Sequence, residues 1–177
     1  MADDSDLVAQ VLRNGGARLA SYGLVLTGSP HDAEELVQAA IVKTFVKRRR
    51  LRDAAAAEAY VRATMRTLYI DGLRRERTWG RLIPSMVRTA HLPDSSAELA
   101  GHDRVARALA ELPRQVRTAV ALRYYDDLTV ADIAHRMNLS EGTVKKYLQD
   151  GRTRLAPLLG LSTEEAEHAT VTEGRAR

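Results

Sequence analysis

The sequence predicts an all-α protein, two small helical domains joined by a flexible linker. Apolar residues make up 45% of the 177, mostly Leu, Ala and Val, while aromatics are only 5%. Leu and Ala favour helix. No run alternates with the period of a strand, whereas apolar residues recur at helical spacing along most of the chain. That pattern fails once, from Thr78 to about Gly101, where two prolines, a pair of serines and no sustained period read as a linker. The expected organisation is an N-terminal domain over 5–78, a linker over 79–101, a C-terminal domain over 102–159 and a polar tail over 160–177.

Three helices are expected in the first half. One runs from about Leu7 to Leu26, with a break allowed for at Gly15-Gly16, and is ended by Gly28-Ser29-Pro30. The second starts near Pro30 with Asp32, Glu34 and Glu35 in its first turns and a basic block at its far end, a charge order that suits the helix dipole. Leu36, Val37, Ala40, Ile41, Thr44 and Phe45 give it an inward face. The third spans about Ala55 to Arg77, with Tyr60, Val61, Thr64, Leu68 and Leu73 directed inward. Trp79 and Leu82-Ile83 are placed to pack back on it. Three such helices bury a modest core.

After the linker, Val105, Leu109 and Leu112 mark a short helix stopped at Pro113, and Val116, Val120 and Leu122 mark the next, ending near Asp126-Asp127. Leu128 to Leu155 then reads as a helix-turn-helix. Val130, Ile133, Ala134 and Met137 form the first stripe, Asn138 suits a left-handed turn, and Leu139 plugs the angle between the helices. Ser140 is placed to cap the second helix and Glu141 sits in its first turn. Val144, Leu148 and Leu155 face inward, leaving Lys145, Lys146, Gln149, Arg152 and Arg154 to face a DNA groove. Two amphipathic helices joined by a polar turn also occur without DNA binding; the turn length, the cap and the cluster of basic residues on the second helix favour DNA.

The formal charge is +4. Its distribution says more than its size: Lys43, Lys47, Arg48, Arg49, Arg50 and Arg52 form one block, and Arg74, Arg75, Arg77 and Arg81 another. Each block suits either a nucleic acid or a solvated helix end. The absence of cysteine excludes disulfides, thiol catalysis and Cys-ligated zinc. The start, MADDSD, is acidic and no long apolar run follows, so neither a signal peptide nor a membrane span is expected. There is no G-x-S-x-G, P-loop or H-E-x-x-H, and His31, His91, His102, His135 and His168 are scattered. No catalytic residue, metal or cofactor is expected.

The order of these parts is itself a signature. DAEELVQ (Asp32 to Gln38), YVRATMRTLYIDGLRRER (Tyr60 to Arg77), a linker, and ALAELPRQVRTAVALRYYDDLTVADIAHRMNLSEGTVKKYL (Ala108 to Leu148) together resemble an extracytoplasmic-function sigma factor over about residues 7–156. Leu112, Pro113 and Arg117 carry the motif LP-x-x-x-R, with ADIA and GTVK at the proper distances. The resemblance implies a protein that binds core RNA polymerase, directs it to promoters and helps open the duplex.

It also implies roles. Asp32, Glu35 and Gln38 would lie on the polymerase-binding helix. Tyr60, Arg62, Arg66, Thr67, Arg74 and Arg75 would meet the −10 element, where a base leaves the stack; Tyr60 is equally readable as core. The family often has Asn at Thr67, so the usual base preference there is in doubt. For the −35 element, Lys145, Lys146 and Gln149 align with base-proximal positions, and Arg123, Thr143 and Arg152 suit phosphate. Asp150 stands where the family usually has Arg. It can pair with Lys146 or accept from cytosine N4, and it repels phosphate, so an unusual −35 sequence is expected. Asp94, Glu98 and Asp103 would make the linker acidic, either inside a basic polymerase channel or as a soluble tether. The implied partners are core RNA polymerase, promoter DNA and an anti-sigma factor, with no membrane contact, in the cytoplasm. The alternative is a helix-turn-helix regulator that binds duplex DNA without polymerase, which leaves DAEELVQ and the basic third helix unexplained.

Overall fold

The computed structural model describes residues 4–47, 51, 53–82 and 104–160. Among them are seven helices and no strand. The chain divides into two compact units, Met1–Ala100 and Gly101–Arg177. The candidate residues Arg48, Arg49, Arg50 and Arg52, the acidic Asp94, Glu98 and Asp103, and the polar tail beyond Gly160 lie outside the described residues, as do the side chains of Trp79 and Leu82.

The first unit packs α1 (Asp4–Thr27), α2 (Pro30–Lys47) and α3 (Ala54–Leu82) against one another. Helix α1 passes through Gly15-Gly16 without a break. A Cβ at Gly15 would meet the end of the Glu58 side chain on α3, which would have to swing aside. Glu58 instead receives two hydrogen bonds from Arg18, Nε to Oε1 at 2.8 Å and Nη2 to Oε2 at 2.6 Å. Ser29 caps α2, its Oγ accepting from Asp32 N at 3.3 Å, with Pro30 at the first helical position. Asp53 caps α3 through Ala56 N at 2.8 Å. Leu7, Val11, Leu19, Tyr22 and Leu26 from α1 meet Ala33, Ala40 and Thr44 from α2 and Ala57, Val61, Met65, Ile70 and Leu73 from α3 in the core. Helix α3 continues past Arg77, the expected end, as far as Leu82.

The second unit comprises α4 (Arg104–Ala110), α5 (Arg114–Tyr124), α6 (Val130–Met137) and α7 (Glu141–Leu159). Helix α5 is its axis: every residue from Val116 to Leu122 is buried. Such a helix has no polar face, so its two polar members bond locally. Thr118 Oγ1 donates to the Arg114 carbonyl at 2.8 Å. Arg117, the arginine of the LP-x-x-x-R motif, donates through Nη1 to the carbonyls of Ala110 at 3.2 Å and Leu112 at 3.3 Å, satisfying the end of α4. Helix α7 lies on α5 at Gly151, where a Cβ would fall 2.5 Å from Val120 Cγ2 and 3.3 Å from Val116 Cγ1.

Two outcomes follow. Gly151→Ala gains about 1 kcal/mol of helix propensity, but over-packing a filled core costs about 1–3 kcal/mol; a net loss, read as a lower Tm, is expected. Gly72→Ala, which meets nothing within 4 Å, should instead hold or raise Tm in the same assay. Separately, the Arg18 hydrogen bonds, against some burial and with the charges of Arg18 and Arg62 assisting, hold the Glu58 carboxyl below its ordinary value. A depressed folded value stabilises above the unfolded carboxylate range, about pH 4.3, and that contribution is lost as pH falls through the folded value. Protection of the α1 amides, after correction for the intrinsic exchange rate, should therefore fall as pH drops below about 4.3, and less so in Glu58→Gln.

Candidate polymerase and nucleic-acid interfaces

Helix α2 is apolar on two sides. Its inward side is Ala33, Ala40 and Thr44, and Thr44 Oγ1 bonds to Thr64 Oγ1 of α3 at 3.3 Å. Its outward side bears Glu35, Gln38, Ala39, Val42 and Val46, lining one shallow surface with Lys43. Val42 is 63% exposed and Val46 75%, values that a helix of a folded unit rarely shows for adjacent turns of valine. Glu35 and Gln38 flank this strip, Glu35 with His31 Nε2 at 3.5 Å and Gln38 Nε2 donating to Glu34 Oε1 at 3.2 Å. Asp32 is exposed in the first turn. The sequence reading found the polar members and missed the valines. Their signal was available: apolar residues at 39, 42 and 46 exceed what one buried face of α2 needs.

The six candidates on α3 do not form one surface. Tyr60 is half-buried and is not core. With Thr67, Ala63 and Thr64 it lines a cleft against Lys43 of α2. Thr64 and Thr67 donate to the carbonyls of Tyr60 at 2.9 Å and Ala63 at 3.0 Å. Arg62 lies two residues on, about 200° around the helix, and its guanidinium stacks over the Tyr22 ring of α1 at 4.4 Å. Arg66 follows one turn later, half-buried. Arg74 is half-buried, 3.9 Å from Asp71, and Arg75 is exposed. The partner of Arg62 sits 40 residues away in sequence, so no local pattern discloses it.

The helix-turn-helix is locally determined. Thr129 and Asp132 form a reciprocal capping box that starts α6: Asp132 N donates to Thr129 Oγ1 at 3.1 Å, and Thr129 N to Asp132 Oδ2 at 3.3 Å. Bonds from the Thr129 side chain and backbone hold the Asp132 carboxyl below its ordinary value. The spacing T-x-x-D in the sequence carried this signal and was overlooked. Asn138 ends α6 in the left-handed region, at φ 53°. Ser140 caps α7, its Oγ accepting from Thr143 N at 3.2 Å and meeting Thr143 Oγ1 at 2.9 Å.

From there α7 splits cleanly. Val144, Leu148, Gly151 and Ala156 are buried, while Lys145, Lys146 and Gln149 are exposed and Arg152 half-exposed. Arg123, at the end of α5, donates through Nη1 to the Leu128 carbonyl at 3.1 Å and so steadies the turn before α6. Asp150 does not pair with Lys146. It accepts from Arg154 Nε at 2.9 Å, because an arginine one turn C-terminal to a carboxylate has the better reach and orientation. Among the described residues no helix is long and apolar enough to cross a membrane.

Comparison with known proteins accords with this division. Sigma-70 region 2 matches residues 13–78, and Sigma-70 region 4 matches residues 102–155. The RNA polymerase sigma-E factor of Streptomyces avermitilis is 30% identical over 136 residues, 73% of this chain and 72% of its own. The ECF RNA polymerase sigma factor SigF of Caulobacter vibrioides is 30% identical over 142 residues, 80% and 79% of the two chains. SigW of Bacillus subtilis is 25% identical over 165 residues, 86% and 88%. A solved Bartonella quintana sigma factor, RpoE in complex with the anti-sigma factor NepR, covers 89% of this chain and 96% of its own at 21% identity and a TM-score of 0.48. With both regions matched in this order, and relatives alike over nearly three quarters of their length, the chain belongs to the extracytoplasmic-function sigma factors, which bring core RNA polymerase to promoters and initiate transcription.

Proposed function

We propose a division of that work among the helices. The outward face of α2 docks on core polymerase through Asp32, Glu35 and Gln38, with Ala39, Val42 and Val46 supplying the apolar contact. The observation that carries this reading is the pair of largely exposed valines on a helix whose opposite face is already buried. The same strip suits an anti-sigma factor, which would keep the protein idle by covering it. On α3, Tyr60, Thr67, Arg74 and Arg75 are accessible to the −10 strand; Arg62 and Arg66 support it from the other flank. Helix α7 enters the major groove at the −35 element, with Lys145, Lys146 and Gln149 toward base edges and Arg123, Thr143 and Arg152 toward phosphates. The functional domains are residues 5–78 and 102–159, joined by 79–101 and followed by a tail over 160–177. The protein works without catalysis, metal or cofactor of its own, in the cytoplasm where the polymerase acts.

Titration of labelled protein with core polymerase tests the α2 face. Val42→Asp should weaken binding by about tenfold or more, the equivalent of burying one valine, and Gln38→Ala should weaken it less. Both should melt like the parent, since neither side chain is in the core; undiminished affinity in both variants would remove α2 from the interface. For α7, Lys145→Ala should cost about 1–3 kcal/mol at a cognate promoter and relax the −35 preference. An equal loss on every promoter would move Lys145 from a base edge to a phosphate.

A further inference from the structure

The outward face of α7 carries one carboxylate among its cations. At about 100° per residue, Lys146, Gln149, Asp150 and Thr153 fall within about 55° of the direction opposite the buried stripe of Val144, Leu148 and Gly151. Asp150 is thus nearer the middle of that face than Lys145, Arg152 or Arg154. An acid in this position opposes phosphate wherever the face approaches DNA. Its charge is offset within the helix, where Arg154 Nε donates to Oδ1 at 2.9 Å. The side chain remains 39% exposed, and among the described residues Oδ2 accepts no hydrogen bond. What the pair presents outward is a hydrogen-bond acceptor with a cation beside it.

The major groove narrows what such an acceptor can meet. Guanine O6 and N7 and thymine O4 are themselves acceptors and repel a carboxylate. Only cytosine N4 and adenine N6 donate. Adenine N6 has an acceptor on either side, its own N7 and the paired O4, whereas cytosine N4 has one on a single side, the paired O6. We infer that Asp150 is a specificity-determining residue: its carboxylate, held by Arg154, selects cytosine at one position of the −35 element. This rests on the reading in which α7 enters the major groove there.

The test uses the full chain assembled with core polymerase, and promoter duplexes in which each −35 position is varied through the four bases. Competition binding and run-off transcription give the preference at each position. The parent should favour cytosine at one position by roughly fivefold or more, the lower end for a good base contact. Asp150→Ala should flatten that preference. Asp150→Asn should move it to adenine, which an amide engages through N6 and N7 together. Binding to duplexes that lack cytosine at that position should hold or rise in both, since a negative charge has gone, an outcome that a misfolded helix would not give. Lys146→Ala and Gln149→Ala are measured alongside. Should these shift the −35 preference while both Asp150 variants keep the parent's, the inference is wrong and the α7 reading stands. Should no substitution on α7 alter any −35 preference, the reading fails and the inference with it.

Discussion

Close seating of one helix on the side chains of another, at points where a side chain has been omitted, shapes both units. A chain with one phenylalanine and one tryptophan has few bulky groups to hold helices apart and fill the space between them. It packs by bringing small residues together instead. Gly151 lets α7 lie against Val116 and Val120 of α5, and Gly15 leaves room on α1 for the Glu58 carboxylate of α3. Each omission fixes where an outward face ends up. The contact at Gly151 turns Lys146, Gln149 and Asp150 away from α5. At Gly15 the Glu58 side chain of α3 reaches α1, where Arg18 receives it.

What was legible in the sequence follows the range of the interactions involved. Asn138 and Ser140 were readable because a left-handed residue and a helix cap act on the backbone within three or four positions. The Thr129–Asp132 box acts over the same range and was equally readable from T-x-x-D. The continuity of α1 through two glycines was not, because propensity argues for a break and packing against α3 overrules it. The role of Gly151 was hidden for a related reason: its partners lie 31 and 35 residues earlier, and a glycine inside a helical pattern gives no hint of what fills the space beside it. The resemblance implies a DNA contact for Arg62; the ring its guanidinium covers belongs to another helix, so no local pattern disclosed that second contact.

The charged groups divide by task in a similar way. Arg18 with Glu58 and Arg117 with the end of α4 act within the fold, the first half in solvent and the second buried. A buried guanidinium is tolerated only because carbonyls receive it. Those left outward are on α7 and the far half of α3, where long-range attraction to phosphate works without a fixed geometry. The family resemblance singles out Arg117 along with the outward positions, and Arg18 and Glu58 not at all. Only the structure separates the arginines that hold the protein together from those turned toward its surface.

The clean split of α7 has an evolutionary consequence. Residues that set the helix on α5 share no position with those turned outward, and exposed substitutions away from such contacts change stability by about 0.5 kcal/mol or less. Mutation can therefore sample new combinations at Lys146, Gln149, Asp150 and Thr153 while the scaffold stays unaltered. A duplicated copy of such a gene can drift toward a different set of promoters without passing through an unfolded intermediate, a route by which one small helical unit diversifies into many regulators within a single genome.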